Sequence, residues 1–168
     1  MEALTDLLSQ SIVFMLPVWA ANIVCNLLHF AKKHFKVYDI AADLGRVFYD
    51  NNRIVGDGIT WIGLILCFLS AGSISWLQGR GAEGILLGLG VWLGGGVGSF
   101  IKRRFSLSQG DFFPILDHSD YVIGAFAFYA LVQPLDLRMV AVSLFITLVF
   151  HPVFCVIGYF LGIKDHPW

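Results

Sequence analysis

Charge is scarce in this chain of 168 residues: Asp, Glu, Lys and Arg make up only 14% of it, where about 25% is usual in a soluble domain. Hydrophobic residues reach 57% and the mean hydropathy is +0.75. A soluble core of this length could not hide so much apolar surface, which excludes an ordinary soluble domain. Cysteine is nearly absent too. Cys25, Cys67 and Cys155 are odd in number, lie in apolar segments and have no metal-ligand spacing. The three read as small core hydrophobes and do not report a redox compartment. A P-loop, a dinucleotide-binding glycine signature and a nucleophile elbow are all missing, so a covalent intermediate is not suggested. His29, His34, His118 and His166 show no zinc spacing. Met1–Gln10 carries Glu2 and Asp6, lacks a basic n-region and is followed by no small-residue cleavage site, so no signal peptide is expected. There is no convincing internal repeat and no low-complexity segment.

What is there is a set of apolar runs. Leu4–Phe30, Gly58–Leu77, Ala82–Ile101 and Met139–Gly162 each hold about the twenty residues that a hydrocarbon core requires. A fifth run, Tyr121–Val132, is apolar but short. It spans only if it extends at one end or starts in a water-filled dip, the one place where irregular backbone is tolerated at membrane depth. The expected fold is therefore all-α: one polytopic domain over residues 1–168 with five transmembrane helices. Of the eleven basic residues, Lys32, Lys33, Lys36, Arg46, Arg53, Lys102, Arg103, Arg104 and Lys164 fall on one side and only Arg80 and Arg138 on the other. Basic residues concentrate in cytoplasmic loops. The N-terminus is thus expected outside, and the C-terminus and the long loops 31–57 and 102–120 in the cytoplasm of a multi-pass cell-membrane protein.

The acids follow the same asymmetry. Asp111, Asp117 and Asp120 fall within ten positions, and Asp117 and Asp120 are three apart at the start of a helix, a spacing that puts them on one face. Hard carboxylate oxygens suit Mg²⁺, which binds through one or two carboxylates together with substrate phosphates. Helix capping is the plainer use of Asp and Ser at such a position. Lys102-Arg103-Arg104 directly follows the third run. Alone it reads as an anchor at a helix end. In one loop with three carboxylates it reads as a site for a nucleoside triphosphate, cations for the phosphates and acids for the metal. Gly56 and Gly58 flank Asp57 ahead of the second helix, where backbone N–H groups can meet an anion, although a simple glycine turn also explains them. Asn22 and Asn26 share a face of the first helix, either bonded to another helix or lining a head-group pocket. Gly84 and Gly88, then Gly90, Gly94 and Gly98, step by four along the third helix. They serve close helix packing or leave a groove for a lipid tail. His151-Pro152 reads as a kink with a locally bonded histidine.

These residues resemble the CTP-dependent phosphatidate cytidylyltransferases, above all their short archaeal branch, the CDP-archaeol synthases. The resemblance is carried by Pro17 through Asn22, by Asp50 through Thr60, and most specifically by Ser99, Lys102, Arg103, Asp111, Pro114, Asp117 and Asp120 in that order. The bacterial form has a His-Gly-Gly between the Pro and the last acids, and a much longer chain; both are lacking here, as expected of the archaeal branch. The resemblance implies transfer of CMP from CTP to 2,3-di-O-geranylgeranylglyceryl phosphate, giving unsaturated CDP-archaeol and pyrophosphate, with Mg²⁺ as cofactor. It implies catalytic roles for Lys102, Arg103, Asp117 and Asp120, and metal ligands among Asp111, Asp117 and Asp120. Substrate contacts are implied for Asn22, Asp50, Arg53, Gly56, Asp57, Thr60, Ser99 and Arg104. The partners implied are CTP, a lipid phosphate and the membrane, with no nucleic acid. Two rivals remain. A CDP-alcohol phosphotransferase would need an Asp-Gly-x-x-Ala-Arg motif, which Asp43-Leu44-Gly45-Arg46 does not supply. A transporter or packing subunit would more naturally place charge at the midplane.

Overall fold

The computed structural model describes residues 2–168. Among these residues there are five α-helices and no strand: α1 (Glu2–Phe35), α2 (Trp61–Leu77), α3 (Glu83–Arg104), α4 (Leu116–Tyr129) and α5 (Leu137–Phe160). α1, α3 and α5 are long and apolar enough to cross a membrane, and α2 is a shorter apolar helix of 17 residues.

The helix ends depart from the apolar runs for identifiable reasons. α1 continues five residues past Phe30, with Lys32, Lys33 and His34 in its last turn, where cations complement the helix dipole. α2 starts at Trp61, later than Gly58, because Thr60 caps it: its Oγ1 accepts from Gly63 N–H at 3.1 Å. α3 runs on to Arg104, so Lys102, Arg103 and Arg104 form its last turn and not a loop. α4 begins at Leu116, so Asp117 and Asp120 both lie on the helix, and the expected loop 102–120 contracts to 105–115.

Packing between the helices rests on small residues. A Cβ on Gly84 or Gly88 would strike the α2 backbone at Ala71 or Cys67. One on Gly90 or Gly94 would strike the α4 backbone at Gly124 or Asp120. α3 is therefore pressed between α2 and α4, and the glycine row serves close helix packing rather than a tail groove. Pro17 sits inside α1 and has no N–H for the carbonyl of Val13. The Gln78 side chain replaces that donor at 2.7 Å. Nearby, the Arg80 guanidinium lies 4.5 Å from the centre of the Phe14 ring and pairs with Glu83 at 2.9 Å. The interior mixes Met15, Val18, Leu87 and Val122 with buried Ser11, Ser75, Ser143 and Thr147. The large apolar side chains point outward, among them Ile23, Ile65, Leu69, Phe145 and Phe154. Small and polar inside, bulky and apolar outside, is the distribution a lipid surround selects.

Candidate functional site

The turns from 36 to 60 form a compact cap beside the end of α3, organised by one carboxylate. Asp43 accepts from Arg53 at 2.6 and 3.2 Å, from the N–H groups of Val55 and Gly56 at 3.0 and 2.9 Å, and from Gly45 N–H at 3.0 Å. Burial pushes the Asp43 carboxyl up, but Arg53 and these N–H groups outweigh it and hold the group well below the usual carboxylate range. The same bond to Asp43, opposed by burial and helped by Asp57, holds Arg53 above its ordinary value. Arg104 locks the cap to α3. It donates to the Arg53 carbonyl at 2.8 Å, pairs with Asp50 at 3.0 Å, and lies 4.7 and 4.5 Å from the centres of the Phe48 and Phe100 rings. Arg103 donates to the Leu107 carbonyl and lies over Gly56, whose φ of 86° is left-handed.

Between this cap and the helices lies a cleft of about 280 Å³. α1 gives it Asn22 and Asn26, the start of α2 gives Thr60, α3 gives Ser99 and Lys102, and α4 gives Asp117 and Asp120. Gly110 and Asp111 close one side, and Lys164 and Trp168 of the tail lie across it. Lys102 Nζ bridges both oxygens of Asp117 at 2.9 and 3.1 Å. Phe113 N–H donates to Asp117 Oδ2 at 2.9 Å, which fixes the carboxylate from the loop side. Asp120 has no cation within ion-pair distance among the described residues, and it accepts only the N–H of the adjoining Tyr121, at 2.6 Å. A half-buried carboxylate with so little compensation fits a divalent cation. Asp111 lies on the cleft wall with Oδ2 held by Ser108 N–H at 2.6 Å.

The structure thus brings together Asn22, Thr60, Ser99, Lys102, Asp111, Asp117 and Asp120. Asp50, Arg53, Gly56, Asp57, Arg103 and Arg104 stand outside the cleft lining, engaged in the cap. Asp57 is exposed and paired with Arg53 at 2.9 Å. Sequence reasoning missed His151, Lys164 and Trp168. His151 is bonded locally, with Cys155 Sγ one turn on at 3.6 Å from its Nδ1, and also across helices: its ring meets Asn22 at 3.2 Å and His118 at 2.7 Å, linking α5 to α1 and α4. The pairing of Asn22 and Asn26 on one α1 face was a signal for such a partner; Lys164 had none, because a tail lysine looks like any basic residue at a membrane edge. One ligand atom each from His118, His151 and Cys155 lies within 4.8 Å of the others. The Lys164 ammonium sits 2.9 Å from Cys155 Sγ, and a cation there opposes a metal ion.

The CarS-like family, described as CDP-archaeol synthase, matches residues 4–83 and 80–168. The CDP-archaeol synthase of Methanopyrus kandleri is 33% identical over 96% of this chain and 94% of its own length. That of Methanocaldococcus jannaschii is 32% identical over 96% of this chain and 98% of its own length. A solved structure described as an intramembrane enzyme for archaeal membrane lipid biosynthesis superposes with a TM-score of 0.70 at 25% identity, over 88% of this chain and 93% of that one.

Proposed function

Since this chain belongs to the CarS-like CDP-archaeol synthase family, we propose that it transfers CMP from CTP to 2,3-di-O-geranylgeranylglyceryl phosphate and releases pyrophosphate. Both rival readings, the CDP-alcohol phosphotransferase and the non-catalytic subunit, give way to that membership. The observation that supports the site is that Asp111, Asp117, Asp120 and Lys102 all line one cleft at the polar end of an apolar bundle.

In the proposed reaction the lipid phosphate oxygen attacks the α-phosphorus of CTP in line. The bond to the β-phosphate oxygen breaks, and pyrophosphate leaves. Asp111, Asp117 and Asp120 are the residues that would hold Mg²⁺. When bound, the ion would draw charge from the attacking and leaving oxygens. Lys102, now neutralised by Asp117, is freed to hold a phosphate once that carboxylate has another cation. Ser99 and Thr60 offer hydroxyls, and Asn22 and Asn26 offer amides, to the lipid head group or the base. Arg53, Asp50, Asp57, Gly56, Arg103 and Arg104 act from behind, as the frame that keeps the cap in place.

The basic residues set the proposed orientation: N-terminus outside, and the cap, the cleft and the C-terminus in the cytoplasm of the cell membrane. The test is direct. Purified protein is incubated with radiolabelled CTP, the lipid phosphate and Mg²⁺. CDP-lipid formation that is abolished by chelation is expected. No CDP-lipid would refute the activity, and full activity after chelation would refute the metal.

A further inference from the structure

The C-terminal tail is built to return to the cleft. α5 ends in a left-handed turn at Gly162, φ 72°. Gly162 N–H donates to Tyr159 O at 3.0 Å and Ile163 N–H to Gly158 O at 2.8 Å, the paired bonds that reverse a chain after a helix. The tail is then pinned at three places. Asp165 pairs with Lys33 and with His29 on α1, Trp168 Nε1 donates to the Gly110 carbonyl at 3.0 Å, and the Trp168 ring packs 6.1 Å from that of Phe112.

This route sets Lys164 in the cleft wall, half-buried. Two cations line the cleft. Lys102 is committed to Asp117. Lys164 has no carboxylate within ion-pair distance among the described residues, and its ammonium donates to the thiol sulfur of Cys155 at 2.9 Å. A thiol is a poor match for a full positive charge. A half-buried ammonium that faces a polar cleft without an anion of its own is short of one. Resting on the cytidylyl-transfer reading, we propose that Lys164 is a phosphate-binding residue, carried into the site by the folded-back tail. The phosphate belongs to CTP or to the lipid.

The full-length protein in detergent tests this with CTP, cytidine and the lipid phosphate as probes. One charge-assisted hydrogen bond of roughly 1.5–3 kcal/mol corresponds to about a tenfold to hundredfold change. Lys164→Gln should therefore weaken CTP binding by that factor and leave cytidine binding alone if the phosphate is the nucleotide's. If it is the lipid's, the KM for lipid phosphate should rise by that factor instead. Lys164→Arg should restore most of the loss, and Cys155→Ala, which removes only the thiol, should stay within about twofold. In the unmutated protein, acylation of Lys164 followed by mass spectrometry should be suppressed by CTP or lipid phosphate and not by cytidine. This readout stands even if the Gln variant does not fold. Lys164→Gln matching the parent in both arms, or unaltered acylation with both phosphates present, overturns the proposal, as does an equal loss in Cys155→Ala. If those failures occur while the parent still forms CDP-lipid, only the role of Lys164 falls. If the parent forms none, the underlying reading falls with it.

Discussion

At the scale of single residues, the two acids on α4 sit in different surroundings. Asp117 is tied to Lys102 and Phe113, whereas Asp120 lacks a cation. Asp117→Asn and Asp120→Asn keep size and a neutral oxygen, so both should fold. Each should lose on the order of a hundredfold to a thousandfold in rate, the usual cost of one electrostatic contact to a transition state. Asp6, exposed near the start of α1, should tolerate the same change within a few-fold. CDP-lipid formation across a Mg²⁺ series separates the three, and near-parental rates for both α4 variants would reduce these acids to helix caps. Asp43 makes a different prediction. Its folded pKa is depressed, so its stabilisation is complete above the ordinary carboxylate pKa near ~3.9 and drains away as the pH falls below that value. The melting temperature of Asp43→Asn should lie below the parent's at pH 7, and the gap should shrink by pH 3. A gap that widens on acidification would contradict the hub. The acids were legible from spacing and sign. The hub was not, because Asp43 gathers donors from Gly45, Arg53, Val55 and Gly56 through turns that no periodicity announces.

At the scale of elements, α3 and α4 are held backbone to backbone. Gly94→Leu should collapse the melting transition rather than only lower turnover, since the side chain would enter the α4 main chain at Asp120 and Tyr121. Gly72→Ala in α2 meets nothing within 4 Å and removes a helix-weakening glycine, so it should add up to roughly 1 kcal/mol of stability and leave the melting temperature unchanged or higher. Equal behaviour of the two variants would refute the packing role. The step of four along α3 was visible in the sequence, but its use was not: a row of missing side chains looks the same beside a helix as beside a lipid tail. The start of α4 at Asp117 and Asp120 is read from their spacing and not from the apolar run, which begins only at Tyr121. Asp117, His118, Ser119 and Asp120 break the apolar run, and the helix persists there because contacts to α3 and α5 replace the hydrophobic pattern.

At the scale of the whole molecule, both polar segments and the tail gather at one end. Arg104 reaches the Arg53 carbonyl, Lys33 pairs with Asp165, and Trp168 meets Gly110. A cysteine placed at position 108 in intact cells should be shielded from an impermeant thiol reagent, and one at position 136 should react. The reverse pattern would invert the proposed orientation. The apolar runs announce five helices: three of them, α1, α3 and α5, have the length that hydrocarbon thickness imposes, whereas α2 and α4 are shorter and are read from their apolar content. The cleft needed three dimensions: Asn22, Ser99, Asp120 and Lys164 lie far apart in the chain and meet only because five helices close around one end.

α4 carries a consequence for how the proposed reaction is counted. Its 14 residues rise about 21 Å, short of the ~30 Å hydrocarbon core. If its far end reaches the opposite interface, the end bearing Asp117 and Asp120 lies below the near one. One reactant then arrives by lateral diffusion in a sheet and the other from the water above it, and neither changes phase. The effective amount of lipid phosphate becomes its mole fraction among neighbouring lipids rather than its molarity. Diluting it with inert lipid at a fixed total should slow each enzyme, whereas adding vesicles of unchanged composition should not quicken it.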